Sequence, residues 1–137
     1  MERILLICGC GIFLVLGSVH IWLTFRSDKF DSRDQELNDR MRTINLVLTR
    51  QTTMWKAWVG FNASHSLGAM LYGTIYIVLA LENYAYLRSS LALNALLVAV
   101  PIAYLALAIR YWFRTPRNGI ALALALILAS LALRLTG

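Results

Sequence analysis

Residues 57–81 read AWVGFNASHSLGAMLYGTIYIVLAL, 25 consecutive positions without an Asp, Glu, Lys or Arg. As a helix this stretch would be about 37 Å long. That exceeds the roughly 30 Å hydrocarbon core of a bilayer. In that core no water meets the backbone, so its polar groups must bond within a helix. Three further blocks behave alike. Residues 4–25 are apolar except for Ser18, His20 and Thr24, residues 90–109 carry no charge, and residues 119–133 form a shorter uncharged run. The last is only about 22 Å as a helix, so it spans if Arg117 and Arg134 snorkel to the two interfaces. Its Ala-Leu alternation imitates a strand, but Ala and Leu are strong helix formers.

Composition agrees. Of 137 residues, 59% are hydrophobic and 15% charged, where a soluble domain is about half apolar and a quarter charged. This excludes an ordinary soluble domain, a disordered tail and a nucleic-acid arm. The expected fold is an all-α integral membrane protein. It is a single membrane domain over 1–137, a four-transmembrane-helix bundle with helices at about 4–25, 54–82, 88–112 and 118–135. No small-x-small cleavage site follows the first block, so it reads as a retained helix rather than a signal peptide.

The net charge of +6 resides in the connections. Ten of the 13 basic residues lie between the first and second blocks or between the third and fourth. Positive-inside reasoning puts both connections in the cytoplasm and both termini outside, in a bacterial inner membrane. Arg3 at the start pulls weakly the other way. Asp28, Asp31, Asp34, Glu36 and Asp39 nearly balance the bases of the long connection. Ser32 with Gln35 reads as a capping box. Leu37, Met41, Ile44 and Leu48 follow on one helical face. The spacing predicts a short cytoplasmic interfacial helix over about 33–48. The segments 82–89 and 110–118 read as short connections, the second with Pro116 and Asn118-Gly119 as turn signals.

Cys8 and Cys10 face about 200° apart on a helix and cannot share a metal or a disulfide. No metal-binding spacing, phosphate loop or carboxylate pair occurs, so whether any reaction is catalysed stays open. The second block is the informative one. Gly60, Ser64 and Gly68 recur every four residues, a stripe that would let another helix backbone approach. Beside it run Trp58, Asn62, His65, Ala69, Tyr72 and Tyr76, a face rich in hydrogen-bonding groups. In the first block Gly9, Phe13, Gly17, His20 and Thr24 share a face. His20 is roughly 8 Å and His65 roughly 12 Å from the same cytoplasmic end. Polar groups are costly in lipid and should face protein. The two histidines are therefore expected to face each other across a shared pocket. Pro101 should kink the third helix, and Asn94 lies toward its outer end.

Gly17-Ser18-Val19-His20, with Leu48-Thr49-Arg50-Gln51-Thr52-Thr53-Met54-Trp55-Lys56-Ala57-Trp58 and Gly60-Phe61-Asn62-Ala63-Ser64-His65-Ser66-Leu67-Gly68, resembles an uncharacterised family of small bacterial four-helix membrane proteins. The family pattern runs G-x-x-H, then L-T-R-x-T-T-M-W-K-A-W-x-G-F-N-x-S-H-S-L-G. The likeness covers about half the chain. It implies the same fold and adds Thr49, Arg50, Thr52 and Thr53 to the site, where their chemistry suits an anionic head group.

The leading expectation is a membrane protein that binds an amphiphile or cofactor head group between the first two long helices. The ligand-binding residues would be His20, Asn62, His65, Arg50, Trp58 and Thr24, with membrane lipid as partner and no metal or nucleic acid. The alternatives are an accessory subunit in a larger membrane complex or homo-oligomer, a membrane-embedded lipid-modifying enzyme, and a bis-histidine haem protein.

Overall fold

The computed structural model describes residues 1–136, in six helices: α1 Glu2–Arg26, α2 Gln35–Thr43, α3 Met54–Glu82, α4 Tyr84–Ser89, α5 Leu91–Tyr111 and α6 Arg114–Thr136. Among the described residues there is no strand, only an isolated bridge between Asn45 and Thr53. Four helices, α1, α3, α5 and α6, are long and apolar enough to cross a membrane.

Helix boundaries follow from caps. Helix α6 begins at Arg114, before the expected 118, because Pro116 falls in its first turn. There a missing N–H removes no helical bond. Asn118-Gly119 is therefore helical rather than a turn, and α6 reaches about 34 Å. The 82–89 segment, read as a short connection, holds α4. Asn83 caps it by accepting from the Tyr86 N–H at 3.3 Å. Ser90 is extended and caps α5 through the Leu93 N–H at 3.3 Å, so α5 starts at Leu91 instead of 88.

The chain forms two compact units. Unit 1 comprises residues 1–16 and 69–136, and unit 2 residues 17–68. In unit 1 the buried residues fall at helical spacing: Leu6, Cys10 and Phe13 on α1; Ala69, Tyr72, Tyr76 and Ala80 on α3; Ile120, Ala123, Ile127 and Ser130 on α6. Cys8, two residues from buried Cys10, is exposed. Two glycines bring backbones together. A Cβ at Gly73 would lie 2.6 Å from the Cys10 carbonyl oxygen and 2.9 Å from the Leu14 nitrogen. One at Gly9 would lie 2.9 Å from the Ala123 carbonyl oxygen. The Phe13 ring meets Tyr72 and Tyr104 edge-on, with centroids at 4.9 and 5.5 Å.

Helix α5 runs through Pro101 without a break. Proline has no N–H, so the Leu97 carbonyl four residues earlier loses its helical donor. The Tyr72 hydroxyl donates to that oxygen at 2.7 Å. One turn away the Tyr76 hydroxyl donates to the Leu93 carbonyl at 2.8 Å. The two tyrosines placed on the polar face by spacing thus serve the backbone of α5.

In unit 2 the short helix spans 35–43, not 33–48. Its cap is Asp34, whose carboxylate accepts from the Leu37 N–H at 3.3 Å, rather than Ser32. The Ser32 hydroxyl instead accepts from the Asp34 N–H at 3.1 Å. Asn38, buried, pairs both its amide oxygen and nitrogen with the Ser32 backbone at 2.9 Å. Ile44 turns extended and ends the helix. The chain then reverses, and the Met54 N–H donates to the Ile44 carbonyl at 3.0 Å. Ile44 and Leu48 therefore leave the helical face assigned to them, and Leu48 is almost fully exposed.

Candidate functional site

The chain's two histidines both lie in unit 2. His20 sits near the end of α1 and His65 in the first half of α3. Their rings meet edge-on, with centroids 5.6 Å apart. Asn62, one turn before His65 and buried, links to His20 through its Oδ1, 3.0 Å from Nε2.

The network fixes proton positions. Asn62 Nδ2 donates to the Trp58 carbonyl at 2.9 Å. That orients the amide, so Oδ1 faces His20 as an acceptor. A carbonyl oxygen only accepts, so His20 Nε2 carries the hydrogen in this contact. The Ser66 hydroxyl donates to the Asn62 carbonyl at 2.8 Å, and Thr24 donates to the His20 carbonyl at 2.8 Å. Both rings are half-buried.

Phe30 completes the cluster. Its ring centroid lies 4.5 Å from that of His20, and its backbone carbonyl accepts from the Trp58 indole N–H at 3.2 Å. Spacing missed Phe30 because it sits in an irregular charged segment. An isolated large aromatic among Asp28, Lys29 and Asp31 was the available signal.

Of the expected site residues, His20, Asn62 and His65 come together. Thr24 and Trp58 lie beside them, but their polar hydrogens go to backbone. Arg50 is exposed, and its carbonyl accepts from the Asn45 amide at 3.3 Å. Its threonine neighbours have local roles as well. Thr49 Oγ accepts from the Gln51 N–H at 3.1 Å, and Thr53 Oγ accepts from the Lys56 N–H at 3.3 Å at the start of α3. The Thr52 carbonyl accepts from the Asn45 amide at 3.0 Å. The Arg42 guanidinium, not Arg50, packs on an aromatic, 4.3 Å above the Trp55 ring.

Gly60, Ser64 and Gly68 all face outward, and a Cβ at Gly60 would meet nothing within 4 Å. The inward face of α3 runs through Asn62, Ser66, Ala69 and Gly73 instead.

Among the described residues no group of three His, Cys, Asp or Glu side chains is placed to hold a metal ion. The arrangement offers hydrogen-bond donors and acceptors in a fixed order beside two aromatic faces. That chemistry suits recognition of a polar group. Compared with protein families, with curated proteins and with solved structures, the chain finds no match.

Proposed function

We propose that the chain is an integral membrane protein whose His20–Asn62–His65 cluster binds the polar head group of an amphiphile or cofactor. The observation carrying this is the 3.0 Å His20–Asn62 bond beside a half-buried His65 ring. Polar side chains are costly within apolar helices and need partners. These are fixed by one another and remain within reach of a ligand. Large apolar side chains on the outer faces of the long helices, among them Val19, Trp22, Phe61 and Leu71, support residence in a bilayer. The basic residues favour a cytoplasmic 27–53 connection with external termini. Helix α2 would then lie at the cytoplasmic interface, with Leu37 toward lipid. A bis-histidine haem is disfavoured, because axial ligation at His20 Nε2 would have to break its 3.0 Å contact with Asn62 Oδ1.

The outward stripe of Gly60, Ser64 and Gly68 favours a second reading, an accessory subunit that receives another helix there. Native mass spectrometry after mild extraction separates the two. Head-group binding requires a stoichiometric amphiphile on the wild type that Asn62→Leu and His65→Ala both lose while keeping their helical content. A stoichiometric protein partner lost in Gly68→Leu supports the subunit instead. Retention of the amphiphile in both site variants overturns the proposal.

A further inference from the structure

Unit 1 carries a second polar cluster, sharing no residue with the histidines. Arg3 and Arg134, remote in sequence, lie against Tyr84, and Arg88 follows one turn later on α4. The Arg3 and Arg134 guanidinium carbons lie 5.7 and 5.1 Å from the Tyr84 ring centroid. Arg3 donates to the Leu81 carbonyl at 2.7 Å. Arg134 Nη1 donates to Asn94 Oδ1 at 2.9 Å. Asn94 is itself anchored, its amide nitrogen donating to the Leu87 and Ser90 carbonyls at 2.9 and 2.8 Å. The carboxylate found here is Glu2, 3.8 Å from Arg88, with its backbone carbonyl held by Ser130 at 2.8 Å. One acid against three arginines leaves an excess of positive charge.

Three buried polar atoms of this cluster have no hydrogen-bond partner: Arg134 Nε, Arg134 Nη2 and the Tyr84 hydroxyl. The hydroxyl lies beside both Glu2 and Arg134 but at hydrogen-bond geometry with neither. Nε and Nη2 share one edge of the guanidinium plane, the fork that grips an oxyanion with two parallel bonds. The fork is held in place because Nη1 is tied to Asn94. Burial, with the Glu2 carboxylate next in effect, pushes the Tyr84 phenol above its ordinary value, so it stays a neutral donor. Arg88, whose side chain is half exposed, forms the loosely held rim.

We propose that Arg134, Tyr84, Arg3 and Arg88 form an anion site for a phosphate group, either a phospholipid head group or free phosphate. A phosphate oxygen pair matches the Nε–Nη2 fork. A third oxygen accepts from Tyr84, and Arg88 closes over it on leaving Glu2.

The test uses the full chain in detergent, titrated by native mass spectrometry with phosphatidylglycerol, with a phosphate-free galactolipid of the same acyl chains, and with inorganic phosphate. Wild type should bind a phosphate-bearing probe and discriminate against the galactolipid. Arg134→Lys, which keeps the charge but removes the fork, should weaken binding about tenfold. Tyr84→Phe and Arg88→Gln should weaken it several-fold, and they carry the test if Arg134→Lys does not fold. Leu48→Ala, at an exposed position outside both clusters, should leave it unchanged. Competition by inorganic phosphate identifies a free-anion site; lipid binding without competition identifies a head-group site. Equal binding of galactolipid and phosphatidylglycerol, or unchanged affinity in every foldable variant of the cluster, overturns the proposal.

Discussion

The two units treat polar side chains in apolar helices differently. In the middle of unit 1 they serve the main chain: Tyr72 reaches the Leu97 carbonyl and Tyr76 that of Leu93. In unit 2 His20 meets another side chain, Asn62, and faces a second imidazole. A tyrosine that fills a gap left by proline is explained by folding alone. A histidine bonded to an asparagine has no such debt to the backbone, and that asymmetry separates architecture from candidate chemistry.

The contrast breaks most sharply at two glycines of α3. Gly73→Ala sets a methyl group against backbone atoms of α1 and should destabilise by about 3 kcal/mol. Gly60→Ala meets nothing within 4 Å and should stabilise by up to about 1 kcal/mol, since alanine favours helix. Thermal unfolding in detergent reads both. Shifts of the same sign would mean that close packing is not confined to the inward face.

Next in size is the tyrosine serving the proline. Tyr72→Phe leaves a buried carbonyl short of a donor and should cost about 1.5 kcal/mol. In a Pro101→Ala background the helix supplies its own N–H to Leu97, and the same change should cost less than about 0.5 kcal/mol. A double-mutant cycle measures this coupling; strict additivity would show that the hydroxyl does not replace the missing helical bond.

The smallest effect belongs to Arg50. Its side chain is exposed, so Arg50→Ala should change stability by no more than about 0.5 kcal/mol and leave any retained amphiphile in place. Loss of that ligand would return Arg50 to the site.

Long apolar blocks made the four long helices legible, because length and lack of charge suffice to identify them. That the two histidine rings meet was legible because spacing on a helix fixes the face each residue occupies. The facing of the small-residue stripe was not. Gly60-Ser64-Gly68 and Ser66-Ala69-Gly73 are both small and both helical in period, and only the partner backbone at Gly73 decides between them. The end of α2 was also hidden. Ile44 and Leu48 continue the helical spacing, but Ile44 is extended and its carbonyl accepts from Met54, a contact ten residues on. Phe30 was missed for the related reason that an irregular segment has no period to read.

The two thiols of α1 give the molecule an internal clock. Cys8 is exposed and Cys10 is in the core. A reagent that can enter the surrounding medium reaches Cys8 at its intrinsic rate and Cys10 only when unit 1 opens. The ratio of the two rates on one helix is therefore a direct measure of how often the core breathes. Ligands and substitutions can be ranked by how far they slow the second thiol without touching the first.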